Sequence, residues 1–175
     1  SLVGDLRLFA NCEQRSSGTQ NEFSEYSSER QRVIKPELFA ENGRIPTSRN
    51  TMTYLRYAEA LNRAGYPQSA FLILKHGMCY DNLVVYVDSV ERVAAAELVD
   101  FDANIFPKDH TFGIHSRGSG DSHINEYYTL PMPTDSLATR QDTIDYQIPL
   151  VEDMIIDEMA LEGAFEGYRY YDLMR

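Results

Sequence analysis

The 175-residue chain contains no tryptophan, only two cysteines, and far too few basic residues to balance its acids. Two cysteines, Cys12 and Cys79, cannot build a disulfide framework, and spacing alone does not say whether they meet. A lipoprotein-type reading of Cys12 fails as well, because the stretch 1–11 carries Asp5 and Arg7 and lacks an apolar run. No tract approaches the roughly 18 apolar residues of a membrane span; Leu83 to Val87 is typical of the longest runs. Sixteen Lys and Arg against 27 Asp and Glu give a formal charge of −11. With no basic stripe, such a surface repels a phosphate backbone, so nucleic acid is not an expected partner. What the chain does have is 43% apolar residues and 25% charged ones, close to globular averages. Wholesale disorder is excluded, and one domain, or a piece of a larger one, is expected.

Organisation follows from periodicity and punctuation. Residues 11–31 are rich in Ser, Glu and Gln and read as a long exposed loop. A brief extended passage is expected over 32–39, then a turn at Asn42-Gly43. The first clear helix is expected from about Thr51 to Ala64. Tyr54, Tyr57, Ala58 and Leu61 share one face, and Glu59 with Arg63 forms a surface pair on another. Asn50 suits the N-cap and Gly65 the left-handed C′ position. Pro67 then opens a second helix with Ala70, Phe71 and Leu74 on its apolar side, stopped by Gly77. The two form a helical hairpin.

Leu83 to Val87 is a short strand, a buried helical segment or an extended connection; the composition allows all three. Asp88 and Glu91 resemble a cap for a helix of about Ser89 to Leu98. Residues 99–141 carry no sustained period and contain Pro107, Pro131, Pro133, Gly113, Gly118 and Gly120, so they read as a second long loop, a kind more often functional than idle. A last helix is expected from near Pro149 to about Glu166, with Leu161, Ala164, Phe165 and Tyr168 on one face and Gly163 inside it. The chain stops directly after Tyr168-Arg169-Tyr170-Tyr171-Asp172-Leu173-Met174-Arg175 without a polar tail, which suggests a fragment.

Two clusters carry polar chemistry. Glu158, Glu162 and Glu166 recur every four residues, an arrangement that invites Arg169 and reads as an ion-pair ladder. A di-metal site would add Glu-x-x-His pairs, and no histidine lies there, so no metal or other cofactor is called for. The second cluster runs from Thr111 to Tyr128. Ser116 lacks the flanking glycines of a nucleophile elbow. His115, Asp121 and His123 match no established zinc spacing, and Gly118-x-Gly120 lacks the rest of a phosphate loop. What remains is a self-satisfied surface loop, or a loop that recognises sugar. Aromatic faces stack on pyranose rings while placed polar groups bond hydroxyls. The candidate glycan contacts are Phe112, His115, Arg117, Tyr127 and Tyr128. His76 ends a helix, where a cation would favour the dipole, so a capping role is expected.

Two blocks carry a resemblance. Tyr54-Leu55-Arg56-Tyr57-Ala58-Glu59-Ala60-Leu61-Asn62-Arg63-Ala64-Gly65 is similar to a helical-repeat motif of the SusD/RagB-like outer-membrane lipoproteins. The closing run resembles the same family through Asp157, Glu158, Ala160, Glu162, Ala164, Phe165, Glu166, Gly167, Arg169, Asp172, Leu173 and Arg175. Gly4-Asp5-Leu6-Arg7-Leu8 is reminiscent of a short upstream segment, while Met159 and Gly163 depart from the pattern. The resemblance implies a mainly α, tetratricopeptide-like helical repeat scaffold with long irregular loops, spanning 1–175 as the C-terminal part of such a protein. It also implies lipid anchoring on the outer face of the outer membrane in Bacteroidota. The expected role is non-catalytic capture of glycans for a SusC-like TonB-dependent transporter. The alternative is a helical scaffold that contacts the transporter while the sugar site lies elsewhere. The matching residues are scaffold residues, so no ligand contact transfers with them.

Overall fold

The first helix of the scaffold, α1, spans Asn50–Arg63. Its buried side is Leu55, Ala58, Glu59, Leu61 and Asn62, with Tyr54 and Tyr57 packed along the margin. The stripe is therefore centred on Leu55, Ala58 and Asn62 rather than on the tyrosines, whose hydroxyl-bearing ends suit a boundary better than a dry core. Asn50 is the first helical residue and not the cap. The helix stops as its sequence demands: Gly65 adopts φ 93°, and the Tyr66 and Gly65 N–H groups return to the carbonyls of Leu61 and Asn62 at 2.9 and 3.0 Å. This is the two-bond left-handed stop that only glycine accommodates without strain.

These features belong to a computed structural model that describes residues 12–15, 30–33, 50–106, 113–115, 128–164 and 169–174. Helix α2, Pro67–Lys75, has proline in its first turn and buries every residue from Ser69 to Leu74. It packs against α1, completing the expected hairpin. Helix α3, Tyr80–Tyr86, decides among the three forms open to the Leu83–Val87 run: a short helix with Leu83 buried and Val84 and Val85 exposed. Helix α4 covers Ser89–Ala94, four residues shorter than expected, and gives way to turns that bury Ala95 and Val99.

Helix α5 runs Arg140–Glu162, beginning nine residues before Pro149 and ending four before Glu166. Its start signal is a capping box. Thr139 Oγ1 accepts from the Asp142 N–H at 3.2 Å, and an Asp142 oxygen accepts from the Thr139 N–H at 2.8 Å. Pro149 is tolerated inside because the carbonyl it deprives, four residues back at Asp145, belongs to an exposed residue within reach of water. Gly163 is the C-cap, not a mid-helix residue, and Leu161 is exposed. The inward stripe is Val151, Ile155, Glu158 and Met159. A short helix α6, Arg169–Leu173, follows and packs on α5.

The molecule is mainly helical. Two short strands correct the expected 11–31 loop. β1, Cys12–Arg15, pairs antiparallel with β2, Arg30–Val33, in the register Cys12 to Val33 and Arg15 to Arg30. The Asn42-Gly43 turn lies outside the described residues. One core joins α1, α2 and α5 through Leu55, Ala58, Leu72, Leu74, Val151 and Ile155.

Two carboxylates, buried Glu91 and half-buried Asp88, organise the helix ends. Helix α2 has no side-chain cap of its own from Tyr66. Glu91 of α4 supplies one, accepting from the Ser69 N–H at 2.7 Å and the Ser69 hydroxyl at 2.8 Å. Asp88 caps α4, accepting from the Val90 and Glu91 N–H groups at 2.9 Å. The Asp88 N–H donates to Gln68 Oε1 at 2.8 Å, so the N-termini of α2 and α4 cap one another. Glu91 therefore does not close a box on Asp88. Burial pushes its carboxyl pKa up, against the Ser69 bonds. For Asp88 burial is outweighed by bonds from Arg140, the Glu91 backbone and Gln68, which hold it at about 2.

Candidate functional site

Two of the residues expected to act, His115 and Tyr128, converge on Glu158. This carboxylate is fully buried on α5. One of its oxygens, Oε2, meets His115 Nδ1 at 2.9 Å and accepts from the Tyr128 hydroxyl at 3.2 Å. The His115 and Tyr128 rings stack on each other, centroids 3.7 Å apart and planes 20° from parallel. Helix α2 holds the same two segments from the other side. The Gly113 N–H donates to the Lys75 carbonyl at 3.1 Å, and Lys75 Nζ donates to the Tyr128 carbonyl. Gly113 is required there: a Cβ would collide with backbone atoms of Leu74 and Lys75. The turn 113–115 and residue 128 are thus clasped together at one buried acid and one lysine.

This clasp changes the standing of two candidate glycan contacts. His115 is 6% exposed and Tyr128 1% exposed, with both rings facing each other and Glu158. Neither offers a face to a sugar arriving from solvent. Composition marks aromatic and polar residues as sugar-competent; in the structure a buried carboxylate on a distant helix engages these two. Phe112, Arg117 and Tyr127 lie outside the described residues, as do Asp121 and His123.

A second polar system ties the two motif blocks together. Acids and arginines alternate along α1: Glu152 to Arg63 at 2.5 Å, Arg63 to Glu59 at 2.8 Å, Glu59 to Arg56 at 3.3 Å, Arg56 to Asp172 at 2.5 Å. Glu59 and Asp172 are buried, while Arg56 and Arg63 reach outward. The Glu59–Arg63 contact exists as expected, yet Glu59 is an interior residue rather than a surface one. Asn62, fully buried, donates from Nδ2 to the Ile148 carbonyl at 2.9 Å and to Glu152 Oε2 at 3.0 Å. Glu158 is buried in the clasp; Glu166, the last of the three glutamates, lies outside the described residues.

Sequence reasoning passed over one surface feature. Tyr86, at the end of α3, lies flat on His76 with centroids 3.5 Å apart and planes 5° from parallel. His76 in turn sits edge-on to the core residue Phe71 at 6.0 Å. Burial, then the neighbouring Lys75 charge, lowers the His76 pKa to about 4, so this imidazole is neutral at pH 7 and adds no charge to the helix end. His76 is the C-cap residue of α2, as expected, but it caps through its backbone N–H, which donates to the Leu72 carbonyl at 2.9 Å, and not as a cation. Chain order gave little warning, since residues 76 and 86 are joined across a turn and a segment whose form the composition left open.

Cys79 is buried and carries a free thiol, so it is not bridged to Cys12. Among the described residues no cluster of three or more His, Cys, Asp or Glu is placed to hold a metal ion. Among them, too, no helix is long and apolar enough to cross a membrane. No protein-family model matches the chain, and no curated protein or solved structure matches it either.

Proposed function

We propose that the chain is part of a SusD-like, non-catalytic protein of the outer-membrane surface that captures glycans and passes them to a SusC-like TonB-dependent transporter. In this reading the α1–α2 hairpin is one tetratricopeptide-like unit, and 1–175 is the C-terminal part of the domain. One observation supports it above the rest. The two blocks that carry the resemblance, more than a hundred residues apart, meet through the Arg56–Asp172 contact, and Arg56 also approaches Met159 Sδ at 3.5 Å. Residues that were matched as separate motifs act as one structural unit, as scaffold motifs should. Glycan capture needs no catalytic group, and its chemistry is aromatic stacking with hydrogen bonds.

The experiment is affinity electrophoresis of the folded chain in gels containing starch, xylan, β-glucan, galactomannan or host glycans. Retardation by one class is expected. Unretarded migration of a folded, helical sample in every gel contradicts glycan capture.

The scaffold reading, in which the chain contacts the transporter and sugar binds elsewhere, draws on a different observation. Val84, Val85, Val90 and Val93 on α3 and α4 are exposed, Val93 at 78%, although apolar. That reading predicts unretarded migration together with co-purification of the transporter.

A further inference from the structure

We infer that Tyr86, backed by His76 and flanked by Asn82, is a pyranose-stacking platform on the outer side of α3. The inference rests on the glycan-capture reading and gives it a location among the described residues. Tyr86 is 48% exposed although one face of its ring is covered by His76. Parallel stacking leaves the opposite face as the open one. A sugar landing there meets a flat apolar surface whose orientation is already fixed. His76 is fixed in its turn by the edge contact with buried Phe71. Little rotamer freedom remains to be lost on binding, which is the condition under which a single aromatic residue contributes most.

Polar groups lie beside the ring. Asn82 precedes Tyr86 by four residues on α3 and shares its side of the helix. Its Nδ2 donates to the carbonyls of His76 and of Gly77, the latter at 3.3 Å. Those bonds hold the amide in place, and its Oδ1 accepts from no described residue. A pyranose lying with its C–H face on Tyr86 would present hydroxyls to Asn82 Oδ1 and to the phenol oxygen. The platform is uncharged at neutral pH, and the chain is strongly acidic. Neutral hexose or pentose polymers fit it, and uronate-rich polymers do not.

The test compares wild type, Tyr86→Ala and Tyr86→Phe in the same polysaccharide gels, with circular dichroism of each variant. Tyr86→Ala should weaken binding to the retarding neutral glycan at least tenfold, whereas Tyr86→Phe should lie within about threefold of wild type because the face is kept. Saturation-transfer NMR with the matching oligosaccharide, read on tyrosine-labelled protein, gives an independent readout at the ring. If wild type is retarded and Tyr86→Ala equally so, the platform is refuted while glycan capture stands. If folded wild type is retarded by no gel, glycan capture fails and the platform with it.

Discussion

Two glycines separate two physical reasons for needing no side chain, and alanine at each gives a sharp comparison. Gly113 lies against α2 so closely that a Cβ would overlap backbone atoms of Leu74 and Lys75, which cannot swing aside. Gly113→Ala must therefore lift the 113–115 turn off the helix. The bond from the Gly113 N–H to the Lys75 carbonyl goes first, a net loss of about 1 kcal/mol. Ile114, now buried, becomes wet at a cost of about 2 kcal/mol. Separating His115 from Glu158 removes a buried hydrogen bond worth about 1 kcal/mol. Partial relaxation keeps the total below that sum, at about 3 kcal/mol. Gly65 is the opposite case, with nothing within 4 Å of its Cβ position but φ at 93°. Gly65→Ala pays only for the left-handed backbone, about 1 kcal/mol. Urea unfolding of both variants, with unchanged dependence on denaturant, measures the difference. A Gly113→Ala protein within about 0.5 kcal/mol of wild type, or one more stable than Gly65→Ala, refutes the clasp as drawn.

The alternating ions predict that Arg56→Ala destabilises by about 1 to 2 kcal/mol, since it takes a charged partner from buried Asp172, with the partial exposure of Arg56 holding the figure below that of a fully buried pair. A double-mutant cycle with Asp172→Asn should return a coupling of at least about 1 kcal/mol, and additive losses would break the chain of contacts at that link. Asp88→Ala should cost about 1 to 2 kcal/mol at pH 7 through the lost α4 cap. The Asp88 pKa is lowered from 3.8 to about 2, so the unfolded state binds more protons between those values. The stability it contributes is thus present above pH 4 and fades as pH falls toward 2, and acid titration of the variant should lack that part of the decline. His76 is lowered from 6.5 to about 4, so stability should fall as pH drops from 6.5 to 4, and His76→Gln should flatten this slope.

Local signals carried much of the fold. The α1–α2 hairpin was readable because Gly65 and Pro67 punctuate two strong periodic segments. The start of α5 was equally present in Thr139-x-x-Asp142, but Pro149 drew attention to the wrong residue; its exposed position lets water take the freed carbonyl and so lessens the penalty that usually makes proline a boundary. Glu59, Glu91 and Glu158 were misplaced for a common reason. A glutamate reads as solvent-facing unless its partners are known, and here they sit 22 and 43 residues away for Glu91 and Glu158. The site was less legible than the scaffold. His115 and Tyr128 have the chemistry of sugar contacts, yet long-range pairing commits them to the interior. Tyr86 gained its candidate role from a ring brought beneath it across the α2–α3 turn.

Glycan capture without cleavage is the central functional claim, and calorimetric titration of the folded chain with the oligosaccharide of the retarding gel tests it most directly. The oligosaccharide is then recovered and its mass measured. Saturable heat with every sugar chain recovered at full length is the expected result. Absence of heat from a folded sample, or saturable heat with shortened sugars, contradicts the account.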